Sequence, residues 1–148
     1  MPGTNIKQVE AADRSQIVKV KSYRIDLDLT TGAENFRVKT TVAFDGLKPG
    51  ATTFIDCVGK RVVSAKLNGA NFDPKFDGET VFLPAIAADN ILEIEHEGIY
   101  SHSGEGLHRF VDPADNEVYL YTQFETGDAR RMYAVSYTHL TLPTIYSV

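Results

Sequence analysis

The sequence predicts an all-β, mostly antiparallel fold, and three observations carry that expectation. Apolar and polar residues alternate with period two over several separate stretches, which is the signature of strands with one wet face. Clusters of turn residues (Gly46-Leu47-Lys48-Pro49-Gly50, Asn68-Gly69, Asp73-Pro74, Asp77-Gly78) separate those stretches at short intervals. No helical repeat of useful length appears before Gly127. The chain has 148 residues, enough for one domain with a core. With 43% hydrophobic and 24% charged residues it has the composition of an ordinary globular protein.

Residues 1–17 are polar and aperiodic and read as a loose arm or short helix. Val18 to Leu29 is the first strand. Val18 and Val20 keep one phase, whereas Tyr23, Ile25, Leu27 and Leu29 keep the other, so a bulge or bend is expected at Ser22. After a turn at Gly32, Phe36, Val38, Thr40, Val42 and Phe44 alternate against Arg37, Lys39, Thr41 and Asp45. This is a half-exposed strand and the hairpin partner of the first. Thr53 to Val58 and Arg61 to Leu67 are further strands. Asn68-Gly69 has the composition of a two-residue hairpin loop. Thr80 to Leu83, Ile91 to His96 and Leu107 to Val111 follow. Asp112-Pro113-Ala114-Asp115-Asn116 then turns the chain into a last strand.

In that last strand Val118, Leu120, Thr122 and Phe124 share an apolar face, expected to join a core. Tyr119, Tyr121, Gln123 and Glu125 share the other. A helix-like start follows, with Thr126 as a possible cap and Asp128 suited to its positive end. A carboxylate at the mouth of a strand-to-helix turn, on an aromatic ledge, can hold a small cation such as an amine.

Most other groupings read as structural. His96, His102 and His108 are spaced six apart, which is no helical repeat, and each reads as a surface or strand-end histidine. The acidic run Asp112 to Glu117 reads as a solvated Asx turn rather than a calcium loop. Cys57 reads as a small buried hydrophobe, and a lone cysteine excludes an internal disulfide. A net charge of −5 argues against a nucleic-acid partner. No apolar run is long enough to span a membrane and no secretory leader is evident, so a cytoplasmic setting is expected. The zinc-protease pattern His-Glu-x-x-His is missing: four residues after His96 stands Tyr100.

Gly104-Glu105-Gly106-Leu107-His108-Arg109-Phe110-Val111-Asp112-Pro113, Tyr121-Thr122-Gln123-Phe124-Glu125 and Asp128-Ala129-Arg130-Arg131 together resemble the M1 family of zinc aminopeptidases, in its actinobacterial aminopeptidase N type. The resemblance runs from roughly Val18 to Ala134 and lies in that family's N-terminal β domain. It implies a curved, β-sandwich-like sheet or saddle over residues 18–134, incomplete at its end. It implies that Gln123 and Glu125 bind the free α-amine of a peptide substrate. It also implies that zinc and the catalytic residues belong to a catalytic domain of the parent chain, with no metal ligand or catalytic residue in this stretch. The fragment alone is then expected to be inactive. Val135-Ser136-Tyr137-Thr138-His139-Leu140-Thr141-Leu142-Pro143-Thr144 matches a translated transposase sequencing adapter, so residues 135–148 are expected to be a non-native, poorly packed tail. The rival reading is a free-standing β-sandwich binding module that uses Tyr119 and Tyr121 as its contact ledge.

Overall fold

Alternation in the second strand decides the architecture. The computed structural model describes residues 8–124 and 127–136. Helix α1 (Gln8–Ser15) leads into strands β1 (Val18–Asp28), β2 (Asn35–Gly46), β3 (Thr53–Asp56), β4 (Arg61–Leu67), β5 (Ala70–Asn71), β6 (Thr80–Leu83), β7 (Asp89–Ile99), β8 (Gly106–Val111) and β9 (Val118–Gln123). A short 3-10 helix, η1 (Asp128–Arg131), follows. Five strands form one sheet in the order β1-β2-β7-β4-β5, with β3-β6 and β8-β9 as two-stranded sheets. All the pairings within these sheets are antiparallel.

Phe36, Val38, Thr40, Val42 and Phe44 all lie buried on one face of β2. On β7, Asn90, Leu92, Ile94 and His96 do the same. Ile55, Cys57, Val81, Leu83 and Ile86 close over this inner face in the same cluster as Val42, Phe44, Leu92 and Ile94, so the β3-β6 pair forms a second layer. A smaller cluster of Phe36, Val38, Tyr100 and Leu107 fills the other end, with Met132 and Tyr133 packed on it. There the Phe36 ring lies where a Cβ on Gly98 would stand. The outer face is charged. Arg37 meets Glu95 at 3.1 Å and Lys39 meets Glu93 at 3.5 Å, diagonally between β2 and β7, and Arg61 of β4 meets Glu97 directly opposite it at 2.7 Å. The hydrogen bond from Arg61 holds the Glu97 carboxyl below its ordinary range.

The phase slip at Ser22 is real: the β1–β2 register shifts between Val20 and Ser22. Asn68 and Gly69 both take positive φ, 53° and 83°, as a two-residue hairpin loop of the type I′ kind demands. Three expectations need correction. First, the apolar side of β9 joins no core. All six residues from Val118 to Gln123 are exposed, because among the described residues β9's only strand neighbour is β8. Second, His96 is no surface histidine, since it is fully buried on the inner face of β7. Third, η1 has Gly127 at its N-cap with no side-chain cap bond, while Thr126 lies outside the described residues.

Helix α1 is tied to the rest of the domain through Arg14. Arg14 of α1, buried, bonds Asp56 at 3.3 Å, the Phe54 carbonyl at 2.6 Å and Ser136 Oγ at 3.0 Å, with its guanidinium 4.1 Å from the Phe54 ring centre. Asp56 and Val135 exchange both backbone hydrogen bonds, at 3.0 and 2.9 Å. Val135 is buried, and the Ser136 amide donates to Tyr23 Oη at 3.0 Å. These first two residues of the stretch expected to pack poorly are therefore packed, and residues 137–148 lie outside the described residues.

Gly98→Ala should drive a methyl group into the Phe36 ring. Overpacking of this kind costs about 1–3 kcal/mol. Urea unfolding should show that loss, whereas Ser64→Ala on the exposed side of β4 should change stability by less than about 0.5 kcal/mol.

Candidate functional site

Gln123 ends β9, exposed, with Gly106 as its cross-strand partner. On its face of the ribbon the aromatic residues run in register. His108 lies opposite Tyr121 and Phe110 opposite Tyr119. The first pair stacks at 4.7 Å between ring centres with a 28° interplanar angle, the second at 5.5 Å and 22°. Offset stacking of such rings contributes beyond simple burial, and here it ties the exposed β9 to β8, whose Leu107 is in the core. Tyr119 also donates its hydroxyl to Asp115 Oδ2 at 2.5 Å. That bond raises the tyrosine's pKa and lowers the carboxyl's. The expected aromatic ledge thus exists and leads straight to Gln123.

Gly106 is what brings η1 against the strand end. It has φ +64°, and a Cβ there would stand 2.7 Å from Arg131 Cβ. Arg131 then reaches Asp128 at 2.9 Å and Glu105 at 3.5 Å, joining η1 to the start of β8. Neighbouring Arg130 is buried, and its carbonyl accepts from the Val58 amide at 2.8 Å. The Phe124 carbonyl accepts from the Asp128 amide at 3.3 Å, and the Phe124 ring meets Tyr133 edge-on at 6.2 Å. Phe124 and Asp128 are therefore both held in place. Glu125 itself lies outside the described residues. The spacing of Asp128 and Arg131 was visible in sequence; the parts played by Gly106 and Glu105 were not, because they depend on cross-strand register.

The other candidates separate. The Gly104 amide donates to His108 Nδ1 at 3.0 Å, so a neutral His108 carries its proton on Nε2. His102 Nδ1 lies 2.9 Å from the Arg109 carbonyl and acts as the donor. Their rings are 6.4 Å apart, while His96 is in the core. Among the described residues no group of three or more His, Cys, Asp or Glu side chains could hold a metal ion. Asp112 and Asp115 accept from the amides of Ala114 and Glu117, as Asx turns do. Cys57 is buried and burial pushes its thiol up, away from reactivity. A polar cleft of about 370 Å³ is lined by Thr31, Glu34, Asn35, Arg37, Arg61 and Glu97; Arg37 and Arg61 are already paired with Glu95 and Glu97, and none of the lining residues lies on the ribbon.

Comparison with known proteins follows this geometry. No family model matches the sequence. The chain is 46% identical over 139 residues to "Aminopeptidase N" of Streptomyces lividans, covering 90% of this chain and 16% of that protein. It is 34% identical over 77 residues to "Probable aminopeptidase 2" of Sulfurisphaera tokodaii, covering 51% of this chain and 10% of that protein. An M1 zinc metallopeptidase variant from Deinococcus radiodurans superposes with a TM-score of 0.61 at 18% identity, over 81% of this chain and 29% of that one. The same variant bound to a Tyr-Ser-Ala substrate gives 0.58 at 16% identity over the same shares. The chain therefore spans under a third of the length of each of these relatives.

Gly106→Ala should test the positioning of η1. A methyl group at that position collides with the Arg131 stem and strains a left-handed backbone, at a cost of about 1–3 kcal/mol. The variant should melt lower and shift the amide resonances of Asp128 to Arg131. Unchanged stability and resonances would mean that another contact seats the helix.

Proposed function

We propose that this chain, which has the sequence and the fold of the N-terminal β domain of an M1 aminopeptidase, presents the amine-binding residues of a zinc-dependent peptidase that removes N-terminal residues from peptides. The observation that carries this reading is the 46% identity to an aminopeptidase N along most of the chain, with Gln123 at an exposed strand end. The Glu125 carboxylate takes a charge-assisted hydrogen bond from the substrate's ammonium group. The Gln123 amide oxygen accepts a second bond from the same group. Holding the amine fixes where the first peptide bond lies, and so limits cleavage to the N-terminal residue. In this reading zinc is held by the rest of such an enzyme, as in the M1 zinc metallopeptidase that shares the fold. The peptide and the remaining domains of the parent enzyme are the partners this reading requires. The role of Glu125 rests on its place in the Thr122-Gln123-Phe124-Glu125 sequence.

A second reading has its own support. The exposed, stacked Phe110, Tyr119 and Tyr121 are a plausible contact ledge for a β-sandwich module that binds without catalysis.

In the full-length enzyme containing this domain, Glu125→Ala should lower kcat/KM on free-amine peptides about a hundredfold, since about 3 kcal/mol of transition-state binding is lost. Zinc content should stay unchanged. Gln123→Ala should have a smaller effect, because a neutral acceptor binds a cation less strongly. Peptides with an acetylated amine should barely respond. Wild-type kcat/KM in both variants would leave the strand end a purely structural role.

A further inference from the structure

His96 is fully buried, and neither ring nitrogen has a hydrogen-bond partner among the described residues. A neutral imidazole always carries one N–H, so one donor is unmatched whichever tautomer is present. A buried donor without a partner weakens the fold, and a charge in the same place weakens it more.

The surroundings of the ring define what its protonation would disturb. Val38 on β2 and Val62 on β4 are its cross-strand partners. The β4–β7 ladder is irregular just there, between Val62 and Ser64. From the connection between β3 and β4, Gly59 approaches so closely that a Cβ on it would lie 3.0 Å from His96 Cδ2. Four backbone bonds hold that connection: Cys57 to Glu79 at 2.9 Å, Val58 to Arg130 at 2.8 Å, Gly59 to Gly78 at 3.2 Å and Lys60 to Glu97 at 2.8 Å. The second of these reaches η1.

We infer that His96 is an acid-sensitive keystone: a proton added to its ring loosens the segment from Cys57 to Lys60 and, through the Val58–Arg130 bond, releases η1 from the sheet. Burial alone holds the imidazole down to about 4. The charged groups of the neighbouring strands, Arg37 and Lys39 of β2, Arg61 of β4 and Glu95 and Glu97 of β7, pair with acids and bases on the outer face. Cys57 and Tyr100 are buried, and burial favours their neutral forms. None of these, nor Lys60, Arg130 or Tyr133, is among the causes of the histidine's shift. The sign follows from a folded-state value below the ordinary 6.5: stability is complete above the unfolded value, drains as pH falls from there, and His96's share is spent below about 4.

The test compares the full chain with His96→Leu between pH 6.5 and 4.5, a window in which most carboxylates remain charged. The wild-type folding constant should fall by roughly tenfold or more beyond the fall in His96→Leu. Hydrogen exchange of the Val58 and Lys60 amides, corrected for the intrinsic pH dependence, should accelerate in the wild type before that of Val42 and Ile94. NMR titration of the wild-type ring gives a reading that does not need the variant to fold, and His96 should stay neutral well below pH 6. Equal pH dependence in the two proteins would overturn the proposal. So would a ring that titrates near 6.5, or loss of protection at Val58 and Lys60 only together with the whole sheet.

Discussion

One face of β2 has to be dry, and most of the molecule follows from that. Phe36, Val38, Thr40, Val42 and Phe44 project to the same side, and each is at most 2% exposed. Because the strand repeat is two, a one-residue slip against β1 or β7 would expose all of them and bury Arg37 and Lys39 instead. The register is thereby pinned on both sides. Once it is pinned, the diagonal ion pairs of the outer face fall into place, and Gly98 has to be a glycine so that the Phe36 ring has room. Each exposed ion pair adds little by itself. Their regular spacing is better understood as a result of the buried register than as its cause.

The polar contacts inside the domain have a different task. Arg14, Asp56, Tyr23 and Ser136 join segments that the sheet does not: α1, the end of β3, β1 and the stretch after η1. A buried ion pair need not add net stability, but losing one member leaves the other stranded without solvent. Arg14 and Asp56 therefore act as a matched set that fixes how the second layer and the chain after η1 sit on the sheet. The candidate site at Gln123 depends on this indirectly. Its neighbouring helix η1 is held by Val58 on one side and by the Arg131–Gly106 contact on the other.

Much of this was visible in the sequence, and what was missed shares one cause. Strands β2, β4, β6 and β7 announce themselves by alternation or short apolar runs, the β4–β5 loop by Asn68-Gly69, and the bulge in β1 by its change of phase. Local pattern records which residues share a face; it does not record what lies opposite. The apolar face of β9 looks like a core face, yet no element among the described residues covers it. His96 looks like a polar strand end, yet β2 and β4 flank it on either side of β7 and Gly59 closes against its ring. Gln123 was legible as an exposed strand end beside a turn. Its setting was not, because Gly106 and Glu105 come from the neighbouring strand and the loop before it.

The bond between Arg14 and Ser136 spans 122 residues, and the Asp56–Val135 pair spans 79. Contacts of such long range impose an order on folding, since the entropy of closing the loop must be met before the contact forms. During synthesis β1, β2, β4 and β7 can assemble as soon as β7 has emerged, because their partners are by then complete. Arg14 and Asp56 are already made at that stage, but the main chain that Asp56 pairs with and the hydroxyl that Arg14 reaches are not. The sheet can therefore exist for a time as a half-dressed intermediate, with the edge of β3 open. Among the described residues, closure of that edge is the latest long-range step, and the short run from Ala134 to Ser136 serves as its clasp.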